Sequence, residues 1–122
     1  MPVIAMAMQI PPEKYETWRQ TVSEFSGARS EEFDAARRRQ GVNWLRVFVQ
    51  QTSQGPMEIL VMEAEDPARA FKEMGRSQAP FDVWFRQFLV EIYGLDLSQP
   101  PAGPPPEQVL DWSANRPRLT NH

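Results

Sequence analysis

The stretch "NWLRVFVQQTSQGPMEILVMEAE", residues 43–65, decides the fold. Leu45, Val47 and Val49 alternate with Trp44, Arg46, Phe48 and Gln50, the period of two that a half-buried strand requires. Leu60, Met62 and Ala64 alternate with Ile59, Val61 and Glu63 in the same way. Between the two runs, "SQGP" at 53–56 places glycine and proline where a turn needs them. Two strands joined this closely pair antiparallel, as a hairpin.

Upstream, "VIAMAMQI" at residues 3–10 reads as another strand, with Ile4, Met6, Met8 and Ile10 on one face and Val3, Ala5, Ala7 and Gln9 on the other. Pro11 and Pro12 stop it and suit the first turn of a helix. Tyr15, Trp18, Val22 and Phe25 then recur at helical spacing, up to Gly27. Ser30 is placed to cap a second helix, with Glu31 and Glu32 in its first turn and Arg37, Arg38 and Arg39 in its last. Gly41 closes it. Downstream of the hairpin, Asp66-Pro67 opens a helix carrying Ala70, Phe71 and Met74. After a break at residues 75–80, Phe81, Trp84, Phe85, Phe88, Leu89 and Ile92 form the strongest helical stripe, ended by Gly94.

The order is β-α-β-β-α, and Val109–Trp112 adds a short last strand. That is the ferredoxin-like plan: an α+β fold with an antiparallel sheet and helices on one face. Residues 1–95 form the domain. Residues 96–122 form a proline-rich arm, stiffened by "PPAGPPP" and packed on the domain or on a partner subunit through Val109, Leu110 and Trp112. Helices on one face leave the other bare, and an apolar bare face is an interface or a ligand site. A homodimer built sheet to sheet is therefore expected.

The chain has 122 residues, 41% hydrophobic and 24% charged, which fits one globular domain. Its formal net charge of −3 excludes nucleic-acid binding as a whole-surface effect. Cysteine is absent, which excludes disulfides and thiolate chemistry and suits the cytoplasm. The apolar start meets Pro11 too early to span a membrane and lacks the basic lead of a signal peptide.

Chemistry-bearing residues are few. The one histidine, His122, is the last residue, and no histidine, cysteine or carboxylate cluster has metal-ligand spacing, so no metal and no cofactor are expected. No serine has a histidine base in any motif. Trp44, Arg46 and Phe48 share a strand face, where a guanidinium between two rings holds a carboxylate while the rings stack on a flat ligand. The bland alternative is that they are only dimer core. Trp84 and Tyr93 are placed to contribute from the last helix. Glu63 faces a ligand, pairs with Arg46 across the hairpin, or is simply solvated. Glu58 and Glu63 differ by five and cannot face one layer, so paired-carboxylate catalysis is not indicated. Arg37, Arg38 and Arg39 read as a solvated helix end.

"GVNWLRVFVQQT", "MEAEDPARAF", "APFDVWFRQFLVEIYGLDLSQP" and "PPPEQVLDW" together resemble a family of small bacterial proteins with no established reaction. That family is similar in architecture to the dimeric α+β barrel superfamily, and the resemblance implies that fold. The superfamily includes antibiotic-biosynthesis monooxygenases, haem-degrading enzymes, muconolactone isomerase-like enzymes and stress-response proteins, and a fold shared so widely fixes no activity. Two readings follow. One is binding of a small apolar or aromatic organic molecule, with a cofactor-independent monooxygenase or isomerase as its enzymatic variant. The other is a non-enzymatic structural dimer.

Overall fold

In the computed structural model of the chain, which describes residues 2–97, 99, 103–104 and 106–115, three strands form one antiparallel sheet. They are β1 (Val3–Gln9), β2 (Val42–Thr52) and β3 (Gly55–Ala64), in the order β1-β3-β2. β3 is central: Ala5 faces Val61 from one side and Arg46 faces it from the other. Thr52 lies opposite Gly55, so the hairpin turns through two residues, Ser53 and Gln54.

One irregularity matters. Val42 lies opposite Ala64 but Trp44 lies opposite Glu63, which leaves Asn43 as the extra residue of a β-bulge. Val42 and Leu45 are three apart and would face opposite sides of a regular strand. Past the bulge both pack on the same core, beside Met62 and Ala64.

A short 3-10 turn at Pro12–Lys14 leads into α1 (Tyr15–Glu24), followed by α2 (Ser30–Arg39), α3 (Pro67–Arg76) and α4 (Pro80–Tyr93). Asp66 caps α3 by accepting from the Arg69 amide at 3.1 Å. α2 and α4 end on left-handed glycines, Gly41 at φ 76° and Gly94 at φ 66°, a conformation in which any Cβ would be strained.

The helices cover one face of the sheet. Ile10, Trp18, Phe88, Leu89 and Ile92 form one core cluster, with Val47 and Val49 packed against it. Val42, Met62, Ala64 and Ala70 form a second, joined by Ile4, Leu45 and Leu60. Phe25, just past α1, is the hub of the helical layer: its ring lies 4.6 Å from Phe33 and 5.8 Å from Phe85. The outer face carries exposed Val3, Ala5, Ala7, Arg46 and Phe48 around half-buried Ile59, Val61 and Glu63.

The expected ferredoxin-like, dimeric α+β barrel is corrected here. The sheet is open and three-stranded, and it is not closed into a barrel. The strand expected at Val109–Trp112 does not form, so no fourth strand continues the sheet among the described residues. Sheet-to-sheet closure of a homodimer barrel is no part of this architecture. Leu97 packs on the first core cluster. Beyond it, Val109, Leu110 and Trp112 are exposed, Trp112 at 78%. Most of the proline tract, and residues 116–122 with His122, lie outside the described residues. Among the described residues no helix is long and apolar enough to cross a membrane.

Candidate functional site

Strand alternation sends Leu45, Val47, Glu58, Leu60 and Met62 to the inner face, under the helices. They do not fill the space completely. A cavity of about 310 Å³ lies between Met6, Met8, Val47 and Leu60 of the sheet and Phe85 and Phe88 of α4. Its volume falls within the range of small-molecule sites, which start near 300 Å³. The walls are almost wholly apolar, but two charged side chains, Glu58 and Arg37, reach them.

Glu58 is 5% exposed, because its parity on β3 is that of Leu60 and Met62. Its Oε1 accepts from the Trp18 indole Nε1 at 2.8 Å and from the Tyr93 hydroxyl. The same indole N–H is shared with the Tyr93 oxygen at 2.8 Å. Burial pushes the Glu58 carboxyl above its ordinary range, and the two hydrogen bonds only partly oppose this. Burial, followed by the charge of Glu58, pushes the Tyr93 phenol up as well.

Arg37 is 7% exposed. On α2 it belongs to the stripe Phe33, Ala36, Arg37, Gln40, which helical spacing turns toward the core. Its guanidinium lies 4.7 Å from the centre of the Phe33 ring and 4.5 Å from that of Phe85. Nη1 donates to Gln40 Oε1 at 2.6 Å, while Nε and Nη2 are buried without a partner. Burial lowers its pKa to about 10, opposed by nearby Asp82 and assisted by Arg39. Asp82 itself is held by Arg39 at 2.9 Å. Arg38 points outward and pairs with Asp34 at 2.9 Å.

A wider depression of about 860 Å³ lies at the β2 side of α2, lined by polar Ser30, Glu31, Asp34, Arg38 and Glu65 together with Trp44. Phe25, Phe33, Arg37 and Leu45 line both spaces. Arg37 therefore stands where the apolar cavity gives way to the polar depression.

The six residues singled out in the sequence do not converge. Trp44, Arg46, Phe48 and Glu63 belong to the outer layer of the hairpin, with Trp44 opposite Glu63 and Phe48 opposite Ile59. Arg46 lies 4.4 Å over the Trp44 ring, and among the described residues it makes no ion pair with Glu63. Trp84 sits in the helical layer, stacked on Phe88 at 6.2 Å and 4.0 Å beneath the Arg29 guanidinium. Tyr93 alone of the six lines the apolar cavity. Arg37, read from sequence as part of a solvated helix end, is buried instead. The signal was Phe33 and Ala36 on its own stripe. Glu58 was weighed only as a partner for Glu63, although its parity with Leu60 placed it on the inner face. Among the described residues no group of three histidine, cysteine or carboxylate side chains could hold a metal.

No family model, no curated protein and no solved structure matches the chain. The resemblance to a bacterial family, and through it to the dimeric α+β barrel superfamily, is overturned by that result and by the open sheet.

Proposed function

We propose that the protein binds a small apolar or aromatic organic molecule in the cavity between the inner sheet face and α4. The cavity itself carries this reading: about 310 Å³ of space lined by methionine, leucine, valine and phenylalanine, with two charged side chains at its walls. An engineered apolar cavity of about 150 Å³ holds benzene, so this one has room for roughly two rings or a medium alkyl chain. Methionine at Met6 and Met8 suits a wall that adapts to its guest.

Titration of the chain with 2-naphthol, indole and 1-octanol, followed by methyl NMR, tests the reading. Shifts confined to Met6, Met8, Val47 and Leu60 are expected. Leu60→Phe, which fills the space, is expected to abolish them while the fold persists. No shifts with any of the three compounds would end the proposal.

Glu58 favours a second reading, a proton-transfer enzyme of the isomerase kind. A carboxyl raised by burial beside an apolar cavity is the kind of group that gives or takes a proton in general acid–base chemistry. Deuterium incorporation into 2-tetralone in D2O is then faster with the wild type than with Glu58→Gln. Equal rates dispose of it.

A further inference from the structure

The cavity reading leaves the buried guanidinium unexplained, and the next step rests on that reading. Arg37 is held on three sides: Phe33 and Phe85 at its faces and Gln40 at Nη1. Its remaining edge, Nε with Nη2, is buried and unpartnered, and the residue lines the cavity. Those two nitrogens share one edge of the planar guanidinium. Their N–H bonds run parallel, which is the arrangement that receives both oxygens of one carboxylate.

The charge count points the same way. Arg37 and Arg39 bring two cations to this end of α2 and α4, and Asp82 brings one carboxylate: its Oδ2 accepts from Arg39 at 2.9 Å, its Oδ1 is buried without a hydrogen-bond partner, and its charge favours the ionised Arg37. Arg37 is left at the cavity wall with no carboxylate hydrogen-bonded to it. Glu58 is engaged elsewhere: its carboxylate accepts from Trp18 and Tyr93 and makes no ion pair with Arg37.

We propose that Arg37 receives the carboxylate of an amphipathic organic acid whose apolar body fills the cavity, the acid lying with its head at the junction of the cavity and the polar depression and its tail toward Met6, Met8 and Phe88. The placement follows from the lining. Arg37, Phe25, Phe33 and Leu45 border both spaces, whereas Met6, Met8 and Phe88 border the apolar one alone. The pre-stacked guanidinium loses little freedom on binding, and two charge-assisted hydrogen bonds away from bulk water discriminate strongly for the acid. A ligand with the same tail and no charge fills the cavity but leaves the Nε–Nη2 edge as it is.

The test uses the full chain with octanoate and 1-octanol, which share a tail, and octylammonium as a charge-reversed control, by calorimetry at pH 7. Octanoate is expected to bind about tenfold or more tighter than octanol, and octylammonium weakest. Arg37→Met is expected to remove the gap between acid and alcohol, and a cooperative urea transition with an unchanged circular dichroism spectrum shows that the variant is folded. Arg37→Lys, which keeps the charge but loses the planar edge, is expected to recover only part of it. In the wild type, the Arg37 Nε–H resonance should shift with octanoate and stay in place with octanol. Equal affinities for acid and alcohol overturn this inference and leave the cavity reading standing. Failure of both to bind overturns this inference, and the cavity reading falls with it only when 2-naphthol and indole fail as well. An acid preference that survives Arg37→Met also overturns it, by placing the anion elsewhere.

Discussion

On the outer face of the β2–β3 hairpin, Arg46 lies over Trp44 with its charge in water; beneath the inner face, Arg37 lies between Phe33 and Phe85 with its charge out of it. The contacts are of one kind and their costs are not. An exposed cation over a ring is worth about 0.5–1 kcal/mol and asks nothing of the fold. A buried cation loses its hydration, a penalty of several kcal/mol that only full pairing offsets, and two of the three guanidinium nitrogens of Arg37 have no partner. The outer pair is explained by stability alone and the inner one is not. Glu58 repeats the contrast with Glu63: β3 carries one carboxylate to each face, and the one under the helices is shifted by burial.

The largest expected effect sharpens this contrast with tryptophan. Trp18 is 3% exposed and donates to Glu58, whereas Trp44 is half-buried at the edge of the outer face. Trp18→Ala is expected to cost about 3–5 kcal/mol, from the void and from a carboxylate stripped of a donor. Trp44→Ala should cost under about 1.5 kcal/mol. Urea denaturation of both variants decides, and equal losses would break the distinction between the faces.

The next effect has the opposite sign. Replacing a buried charge by a side chain of similar volume is neutral or stabilising by about 1–4 kcal/mol. Arg37→Met is therefore expected to raise the melting temperature, since methionine can occupy the slot between Phe33 and Phe85. Arg46→Met should change stability by no more than about 0.5–1 kcal/mol. A gain in stability at the position that carries the proposed acid binding is the signature of a side chain kept for function. A large loss in Arg37→Met would mean that the guanidinium is a structural strut.

A third effect depends on pH. Burial raises the Glu58 carboxyl, so the unfolded chain gives up this proton at lower pH than the folded one. Between those two values the folded state binds more protons, and stability falls as pH rises. The contribution is fully present below the unfolded carboxyl range and is lost as pH passes through the folded value. Glutamine keeps the oxygen that accepts from Trp18 and Tyr93 but cannot ionise. Glu58→Gln and wild type should therefore melt together at about pH 4, with the variant pulling ahead toward pH 7. If the variant were instead the less stable at neutral pH, the ionised carboxylate would be the form the fold prefers.

These residues also mark what the sequence made legible. Strand alternation, the presence of a hairpin turn and the Asp66, Gly41 and Gly94 helix ends are local devices, and each is written within a few residues of where it acts, although β3 starts at Gly55, inside the 53–56 turn read from sequence. The buried arginine is not local. Nothing near Arg37 distinguishes it from Arg38 and Arg39 except the phase of Phe33 and Ala36, and its second ring, Phe85, comes from α4. The Asn43 bulge is likewise a matter of pairing with β3, invisible in β2 alone. The aromatic strand Trp44–Arg46–Phe48 drew attention because its side chains sit close in sequence. The cavity is assembled from all three strands and all four α-helices, and of the residues singled out only Tyr93 lines it. The fourth strand was expected from the apolar character of Val109, Leu110 and Trp112, but such side chains form a strand only when an edge receives them.

That segment gives the smallest expected effect and extends the tryptophan series to its end. Trp112 is 78% exposed, and Val109 and Leu110 beside it are exposed as well. A side chain that removes little apolar surface from water has little to lose on truncation. Trp112→Ala is therefore expected to shift unfolding by less than about 0.5 kcal/mol, against the several expected for Trp18. Leu97, which packs on the core cluster beside Ile92, is the internal control on the same C-terminal segment. Leu97→Ala should cost more than Trp112→Ala, although its side chain is much the smaller. Tryptophan emission offers an independent reading, because loss of an exposed indole moves the folded-state maximum to shorter wavelength. A destabilisation by Trp112→Ala comparable to that of Trp18→Ala would show that the segment docks in solution, and the bare outer face or the free edge of β1 would then be the place to look for its seat.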